Sequence, residues 1–290
     1  MIIIPGPASV DLGRRVGELL KAQVVPVEFK RFVDGESYVR FEGEVKNEDV
    51  AIVQTTSPPQ NENLIQLLLM ADNARDMGAR NIMAVVPYLA YARQDSRFRP
   101  GEAFSIRTIM TLLKTCGVSR IVTVNSHNPT LLKTLPVMVE DLSAFSLLAE
   151  HFKNRGLEGA FSASLGKKGL DVAAEANRIL RGGFDYVSTQ RDRVTGEVAI
   201  EKKDLPVRNR DVIVFDDVMS SGKSMAKVVG WIKEQGARRV YVACVHVILI
   251  GDGQDRVLKS GAEAIVGTDT VPSPLSEVSI APLIVSTLKT

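Results

Sequence analysis

The sequence predicts an α/β chain of two similar domains, each built on a mainly parallel sheet, and three observations lead there. Short runs of β-branched and apolar residues recur at Met1 to Ile4, Val50 to Gln54, Asn81 to Val86, Arg120 to Val124, Asp211 to Phe215 and Arg239 to Val247. Such runs suit strands covered on both faces, and their spacing leaves room for the helices that parallel crossovers require. The third observation is a repeated joint. Met77-Gly-Ala-Arg80, Cys116-Gly-Val-Ser-Arg120 and Gln235-Gly-Ala-Arg-Arg239 each place a glycine between a helical stretch and a strand, where a left-handed residue ends a helix. Its recurrence in both halves points to two related domains.

A chain of 290 residues with 45% hydrophobic content can bury a large core, as one domain or as two of about 140 residues. The boundary is expected near Pro136 to Ser143, giving residues 1–142 and 143–290, with Asn209 to Thr268 continuing the second sheet. Pro272, Pro274 and Pro282 suggest that the tail returns to the first domain as an irregular segment and a final strand. The 36 basic side chains nearly balance the 34 acidic ones, which argues against a nucleic-acid partner. Cys116 and Cys244 lie in or beside apolar segments and read as buried thiols rather than a disulfide. The chain has no long uncharged apolar span, and Met1-Ile-Ile-Ile-Pro5 lacks the basic start of a secretory signal. A soluble, cytoplasmic protein with no membrane partner is expected.

The most informative segment is the eleven residues from Val214 to Ser224. A buried strand ends in the paired acids Asp216 and Asp217. The turn Ser220, Ser221, Gly222, Lys223, Ser224 then leads into a helix expected from near Met225. Amides of such a turn and the positive end of the helix could converge on a phosphate, while the acids could hold sugar hydroxyls or a hydrated metal. The other reading is a solvated turn with a serine N-cap. The ending Gly222-Lys-Ser224 is not a nucleotide P-loop, because Asp217 stands where the first glycine is required.

Three further segments carry chemistry. In Lys30 to Arg40, Asp34-Gly35 reads as a hairpin turn that gathers Phe32, Asp34 and Glu36 at an exposed rim. A ring and two acceptors suit a purine and its amino group, though an ordinary β-turn fits equally well. Pro87 to Glu102 places Arg93, Arg97 and Arg99 in a polar loop, either a polyphosphate clamp or a solvated charge cluster. His127, in Val124-Asn-Ser-His-Asn-Pro129, falls at a carboxyl-terminal strand edge, where it could bind a metal, contact a phosphate or serve locally. His151 and His246 read as packing or surface residues.

Together these segments resemble the ribose-phosphate pyrophosphokinase family, and the match covers nearly the whole chain. It rests on Phe32-Val-Asp-Gly-Glu36, Asn61-Glu-Asn-Leu-Ile-Gln-Leu-Leu-Leu-Met70, Pro87-Tyr-Leu-Ala-Tyr-Ala-Arg-Gln-Asp95 and Asp216-Asp-Val-Met-Ser-Ser-Gly-Lys-Ser224, in the family's order and approximate spacing. The short length and the Asn125-Ser-His127 motif are similar to the archaeal branch. The resemblance implies two phosphoribosyltransferase-like domains in a homo-oligomer, at least a dimer, with nucleotide sites near subunit interfaces. It also implies that Mg²⁺-ATP gives its β,γ-diphosphoryl group to the 1-hydroxyl of ribose 5-phosphate. By the same resemblance Phe32, Asp34 and Glu36 would hold adenine, Arg93 and Gln94 would contact ATP, and Arg97 would approach its phosphates. His127 would place the metal-nucleotide, Asp216 and Asp217 would hold the ribose hydroxyls, and Ser220, Ser221, Gly222, Lys223 and Ser224 would hold the 5-phosphate.

Two departures touch that chemistry. The family usually carries a Pro-Asp-x-Gly-like metal-binding turn before the helix corresponding to Leu170 to Leu180, whereas this chain reads Ser162-Ala-Ser-Leu-Gly-Lys-Lys-Gly-Leu170, without the acid. Lys167 and Lys168 would repel a second Mg²⁺ or supply charge directly to a phosphate. The family also carries a Lys-x-Arg pair on a catalytic flap. Here Thr189-Gln-Arg191 keeps Arg191 as the catalytic arginine but places a threonine where lysine is expected, with Arg193 or Lys202 as substitutes if the flap folds differently. Two alternatives follow: a catalytically reduced homologue that binds nucleotide or sugar phosphate, and a phosphoribosyltransferase. The second leaves the Phe32 motif and the arginine-rich segment unexplained.

Overall fold

The computed structural model describes residues 1–97, 99–191, 198–200 and 203–289. The chain divides into two units, one of Met1–Ser143, Thr270–Pro272 and Ser279–Thr290, the other of Ala144–Asp269 and Ser273–Val278. In the first unit β1 (Ile2–Pro5), α1 (Val10–Leu20) and β2 (Gln23–Val24) precede a hairpin of β3 (Val27–Arg31) and β4 (Ser37–Phe41). Then come β5 (Asp49–Val53), α2 (Gln60–Asp76), β6 (Asn81–Val86), α3 (Ser105–Thr115), β7 (Val118–Val124), α4 (Pro129–Leu132) and β8 (Met138–Leu142). The second unit begins α5 (Phe145–Phe152), β9 (Phe161–Leu165), α6 (Leu170–Leu180), β10 (Phe184–Val187), β11 (Thr189–Arg191) and β12 (Val198–Ile200). It continues through β13 (Asp211–Met219), α7 (Lys223–Glu234), β14 (Arg239–Val247), α8 (Gly253–Lys259), β15 (Ala262–Thr268) and β16 (Ser276–Val278), and α9 (Ala281–Leu288) returns to the first unit.

Among the described residues each unit carries a six-stranded sheet, ordered β2-β1-β5-β6-β7-β8 and β10-β9-β13-β14-β15-β16. All the pairings within them are parallel. The two-faced burial expected of parallel strands holds: Val50, Ala51, Ile52 and Val53 of β5, and Val212, Ile213, Val214 and Phe215 of β13, are all buried. In the first unit Ile2, Ile4, Ile52 and Val86 pack with Leu67 and Met70 of α2 and Leu113 of α3. In the second, Val212, Val214, Val240 and Val242 pack with Val228 and Ile232 of α7 and Val257 of α8. Each such side chain contributes about 1.5–3 kcal/mol by leaving water.

The repeated joint is as expected. Gly78, Gly117 and Gly236 have φ of 81°, 95° and 85°, and each donates its N–H to a carbonyl of the preceding helix, at 3.0, 3.0 and 2.9 Å. Carbonyls without a partner in the last turn are satisfied this way, and the chain is redirected into the next strand. The beginning of β13 is anchored differently. The carboxylate of Asp211 receives Nε and Nη2 of both Arg239, at 3.0 and 2.7 Å, and Arg238, at 2.9 and 2.5 Å. These bonds, Arg239 first, hold its pKa well below the usual carboxylate range.

The tail differs from expectation at its end, where α9 replaces the expected final strand. Pro282 occupies the first turn of α9, where a missing N–H breaks no helical bond, and Ile284, Val285 and Leu288 are buried. Pro282 therefore starts a helix rather than continuing an irregular segment, and that helix packs against α1. No helix among the described residues is long and apolar enough to cross a membrane.

Both sheets reverse strand order once, between β1 and β5 in the first unit and between β9 and β13 in the second. Crevices beyond the carboxyl ends of strands at such points bind ligands in open α/β sheets. In the first unit this place is filled. The buried Gln54 accepts from the N–H of Ala8 at 3.0 Å and donates to Gln66 Oε1 at 3.1 Å, and a Cβ on Gly6 would lie 2.3 Å from its Oε1. The second unit instead has two glycine-containing turns there.

Candidate active site

In the first unit the hairpin gathers the three rim residues. Gly35, at φ 99°, donates to Phe32 O at 2.9 Å, and Phe32 N–H donates to Glu36 O at 2.9 Å. Asp34 Oδ1 accepts the Glu36 N–H at 3.3 Å. Phe32 is 53% exposed and stands edge-on to Tyr38, with ring centroids 6.1 Å apart, so an aromatic face and two carboxylates share the tip. The hairpin is tied to α2 by the ion pair of Arg31 with Glu62.

The loop after β6 is pinned at its start. Thr56 Oγ1 donates to Tyr88 O at 2.8 Å and accepts the Ala90 N–H at 2.8 Å. Gln94 Nε2 donates to Ser96 O at 3.2 Å and Ala103 O at 3.3 Å, so this residue spends its donors on shaping the loop. Arg93, Arg97 and Arg99 are exposed, and Arg97 Nε donates to Glu102 O at 3.0 Å. His127 lies at the exposed end of the turn after β7. That turn is joined to the arginine loop by Asn128 Nδ2, which donates to Asp95 Oδ2 at 2.8 Å. Asp141 Oδ1 accepts the Ser126 N–H at 2.9 Å. Burial pushes the Asp141 carboxyl above its ordinary pKa, and the Ser126 bond opposes the shift.

Asp95, Asn128 and Asp141 were not foreseen as supports. Asn128-Pro129 does carry the sequence signature of a helix start, and Asn128 Oδ1 caps α4 by accepting the Leu131 N–H at 3.1 Å. Nothing local shows that the other end of its amide reaches Asp95.

In the second unit β13 outruns its neighbour. Its last pairing with β9 is Phe215 with Ser164, while its pairing with β14 continues to Met219 and Val247. Asp216 and Asp217 occupy that overhang, both half-buried, each accepting the next residue's N–H, at 3.0 and 2.8 Å. Asp216 pairs in register with Cys244 of β14, whose thiol is pushed well above its ordinary pKa by burial and then by the charges of Asp216 and Asp217. Gly222, at φ 69°, precedes α7, which begins at Lys223, two residues before the expected Met225. Ser220, Ser221, Gly222, Lys223 and Ser224 thus form the junction of β13 with the positive end of a helix.

The other turn at this switch point follows β9. Gly166 donates to Val187 O at 2.8 Å and accepts the Gly169 N–H at 3.0 Å, which sets Lys167–Gly169 in a single 3₁₀ turn. Residues 162–170 contain no carboxylate, and Lys167 is exposed. β11 and β12 form an antiparallel ribbon in which Thr189 faces Ile200. The side chains of Thr189, Gln190 and Arg191, as well as Arg193 and Lys202, lie outside the described residues. Among the described residues no group of three or more His, Cys, Asp or Glu side chains is placed to hold a metal ion.

Two parallel α/β units, the second with paired acids and a glycine turn at its switch point, define a protein of the phosphoribosyltransferase class. Residues 163–273 match the phosphoribosyl transferase domain family, and residues 1–117 match the N-terminal domain of ribose phosphate pyrophosphokinase. The chain is 38% identical to a ribose-phosphate pyrophosphokinase of Methanothermobacter thermautotrophicus, over 99% of this chain and 100% of that protein. It is 36% identical to one of Saccharolobus solfataricus, over 93% of each. The crystal structure of phosphoribosylpyrophosphate synthetase from Mycobacterium smegmatis superposes with a TM-score of 0.86 at 27% identity, covering 100% of this chain and 97% of that one. The chain belongs to the ribose-phosphate pyrophosphokinase family.

Proposed function

We propose that this chain transfers the β,γ-diphosphoryl group of ATP to the 1-hydroxyl of ribose 5-phosphate, giving phosphoribosyl pyrophosphate and AMP. The observation that carries this reading is the β13–α7 junction at the switch point of the second unit, where acids and amides suit a phosphorylated sugar. Asp216 and Asp217 hold the ribose hydroxyls, and the backbone from Ser220 to Ser224 holds the 5-phosphate. In the first unit Phe32 stacks on adenine with Asp34 and Glu36 accepting from it. Arg93 and Arg97 face the triphosphate, Gln94 lines the nucleotide, and His127 holds the metal-nucleotide.

The 1-hydroxyl oxygen attacks the β-phosphorus in line. The bond from that phosphorus to the oxygen bridging to the α-phosphate breaks, AMP leaves, and the hydroxyl proton passes to solvent. Little covalent work falls to side chains, so rate comes from alignment and from cations, Arg97 and Arg191 among them, that neutralise the moving group. Asp216 and Asp217, two half-buried carboxylates at the end of β13, would offer hard oxygens suited to Mg²⁺. When bound, Mg²⁺ supplies positive charge to the phosphate oxygens. The protein acts in the cytoplasm as a homo-oligomer of at least two copies.

The test is incubation of purified protein with ribose 5-phosphate, ATP and Mg²⁺, following AMP and phosphoribosyl pyrophosphate together. Equal rates of appearance support the reading. Thr189 and the acid-free turn after β9 favour a second one, a homologue of reduced activity; nucleotide binding without either product would establish that instead. Transfer from phosphoribosyl pyrophosphate to a base, with no use of ATP, would identify a transferase.

A further inference from the structure

Three consecutive carbonyls at the β13–α7 junction, those of Met219, Ser220 and Ser221, are drawn to one side. Met219 O accepts from the N–H groups of Ile248 at 2.9 Å and Leu249 at 3.1 Å, and Ser220 O accepts from Ile250 at 2.9 Å. The next carbonyl, Ser221 O, accepts from Nη1 of Arg256 on α8. In a trans peptide the carbonyl and the following N–H point opposite ways. The N–H groups of Ser220, Ser221 and Gly222 therefore point away from the segment 248–256, side by side, which is the arrangement that binds an anion.

Of the three carbonyls, two are held by backbone N–H groups and one by a side chain, so only the last depends on residue identity. Arg256 is itself held: its Nη2 lies 2.6 and 2.7 Å from the two carboxylate oxygens of Asp252, one helical turn earlier. The backbones of loop and helix are also close. A Cβ on Gly222 would lie 2.6 Å from Gly253 O, and one on Gly253 would lie 3.2 Å from Ser221 O.

We infer that Arg256 is a positioning residue for the sugar-phosphate loop: clamped by Asp252, it fixes the Ser221 carbonyl and so aims the Gly222 N–H at the 5-phosphate. This rests on the proposed sugar-phosphate reading of the loop. Arg256 touches no substrate in this role. It sets the direction of one peptide plane, and a free plane would let that N–H turn toward water.

The experiment uses the full chain and measures affinity for ribose 5-phosphate and for ATP separately by calorimetry, in wild type, R256Q, R256K and D252N. R256Q is expected to weaken ribose 5-phosphate binding on the order of tenfold, the loss of one well-aimed donor to a charged group, and to leave ATP affinity and melting temperature unchanged. R256K keeps a cationic donor for Ser221 and should fall between R256Q and wild type, while D252N, which only loosens the clamp on a largely exposed acid, should shift the same affinity less. Wild-type ribose 5-phosphate affinity in R256Q overturns the role of Arg256 alone, and an equal loss for both ligands reduces it to general stability. Should R256Q not fold, D252N decides, and unchanged sugar-phosphate affinity in it counts against the tether. Failure of the wild-type chain to bind ribose 5-phosphate overturns the proposed function and the role of Arg256 with it.

Discussion

Replacing Gly222 with alanine tests the loop where backbone conformation and close packing coincide. At φ 69° an L side chain costs about 1–2 kcal/mol relative to glycine. The new methyl would also lie 2.6 Å from Gly253 O and 3.0 Å from Val257 Cγ2. Carbon–oxygen contacts ordinarily begin at about 3.3 Å, so α8 must shift, at an overpacking cost of about 1–3 kcal/mol. The whole loss is about 2–5 kcal/mol. Gly159, in the same unit, is the control, because its φ is 87° but a Cβ there meets nothing within 4 Å. G159A should lose only the conformational part, about 1–2 kcal/mol. Urea unfolding of both variants, compared with wild type at equal slope, reads the difference. G222A should also lose ribose 5-phosphate affinity, which G159A retains. A loss in G222A no larger than that in G159A would refute the packing argument, and unchanged ligand affinity in G222A would refute the loop's role.

T189K should raise the rate of AMP and phosphoribosyl pyrophosphate formation, since an ammonium near a transferring diphosphoryl group stabilises charge that a hydroxyl cannot; an unchanged rate in a folded variant counts against that placement of Thr189. F32A should raise the KM for ATP with little change in stability, because the ring is 53% exposed and stacking on a base is worth about 1–3 kcal/mol; an unaltered KM removes Phe32 from the nucleotide site. Asp211 has a depressed folded pKa, so its stabilisation is present above its unfolded value of about 3.9 and is lost as pH falls below it. D211N should therefore be less stable at pH 7 by about 1–2 kcal/mol, a modest figure because water can solvate the freed arginines. It should also show a flatter decline between about pH 4 and pH 2, and a decline in thermal midpoint as steep as wild type would argue against this ion cluster.

The sequence by itself determined the class of fold and the family to which the chain belongs. Apolar strand runs, three glycine joints and the Asp34-Gly35 turn act through local backbone preference and burial, which are properties of neighbouring residues, and each stands where its composition puts it. Even the misread tail has a local cause, since Pro282 ends one element or begins another depending on whether a helix follows. The long-range contacts that shape the candidate site were decided only by tertiary structure. Asp95 with Asn128, Asp141 with Ser126, and Arg256 with Ser221 lie 33, 15 and 35 residues apart in the chain. The same holds for the unequal switch points, one filled by Gln54 and the other lined by turns. The physical reason is that a hydrogen bond between distant residues depends on how strands are ordered and registered, and the residues on either side of such a bond carry no trace of its partner.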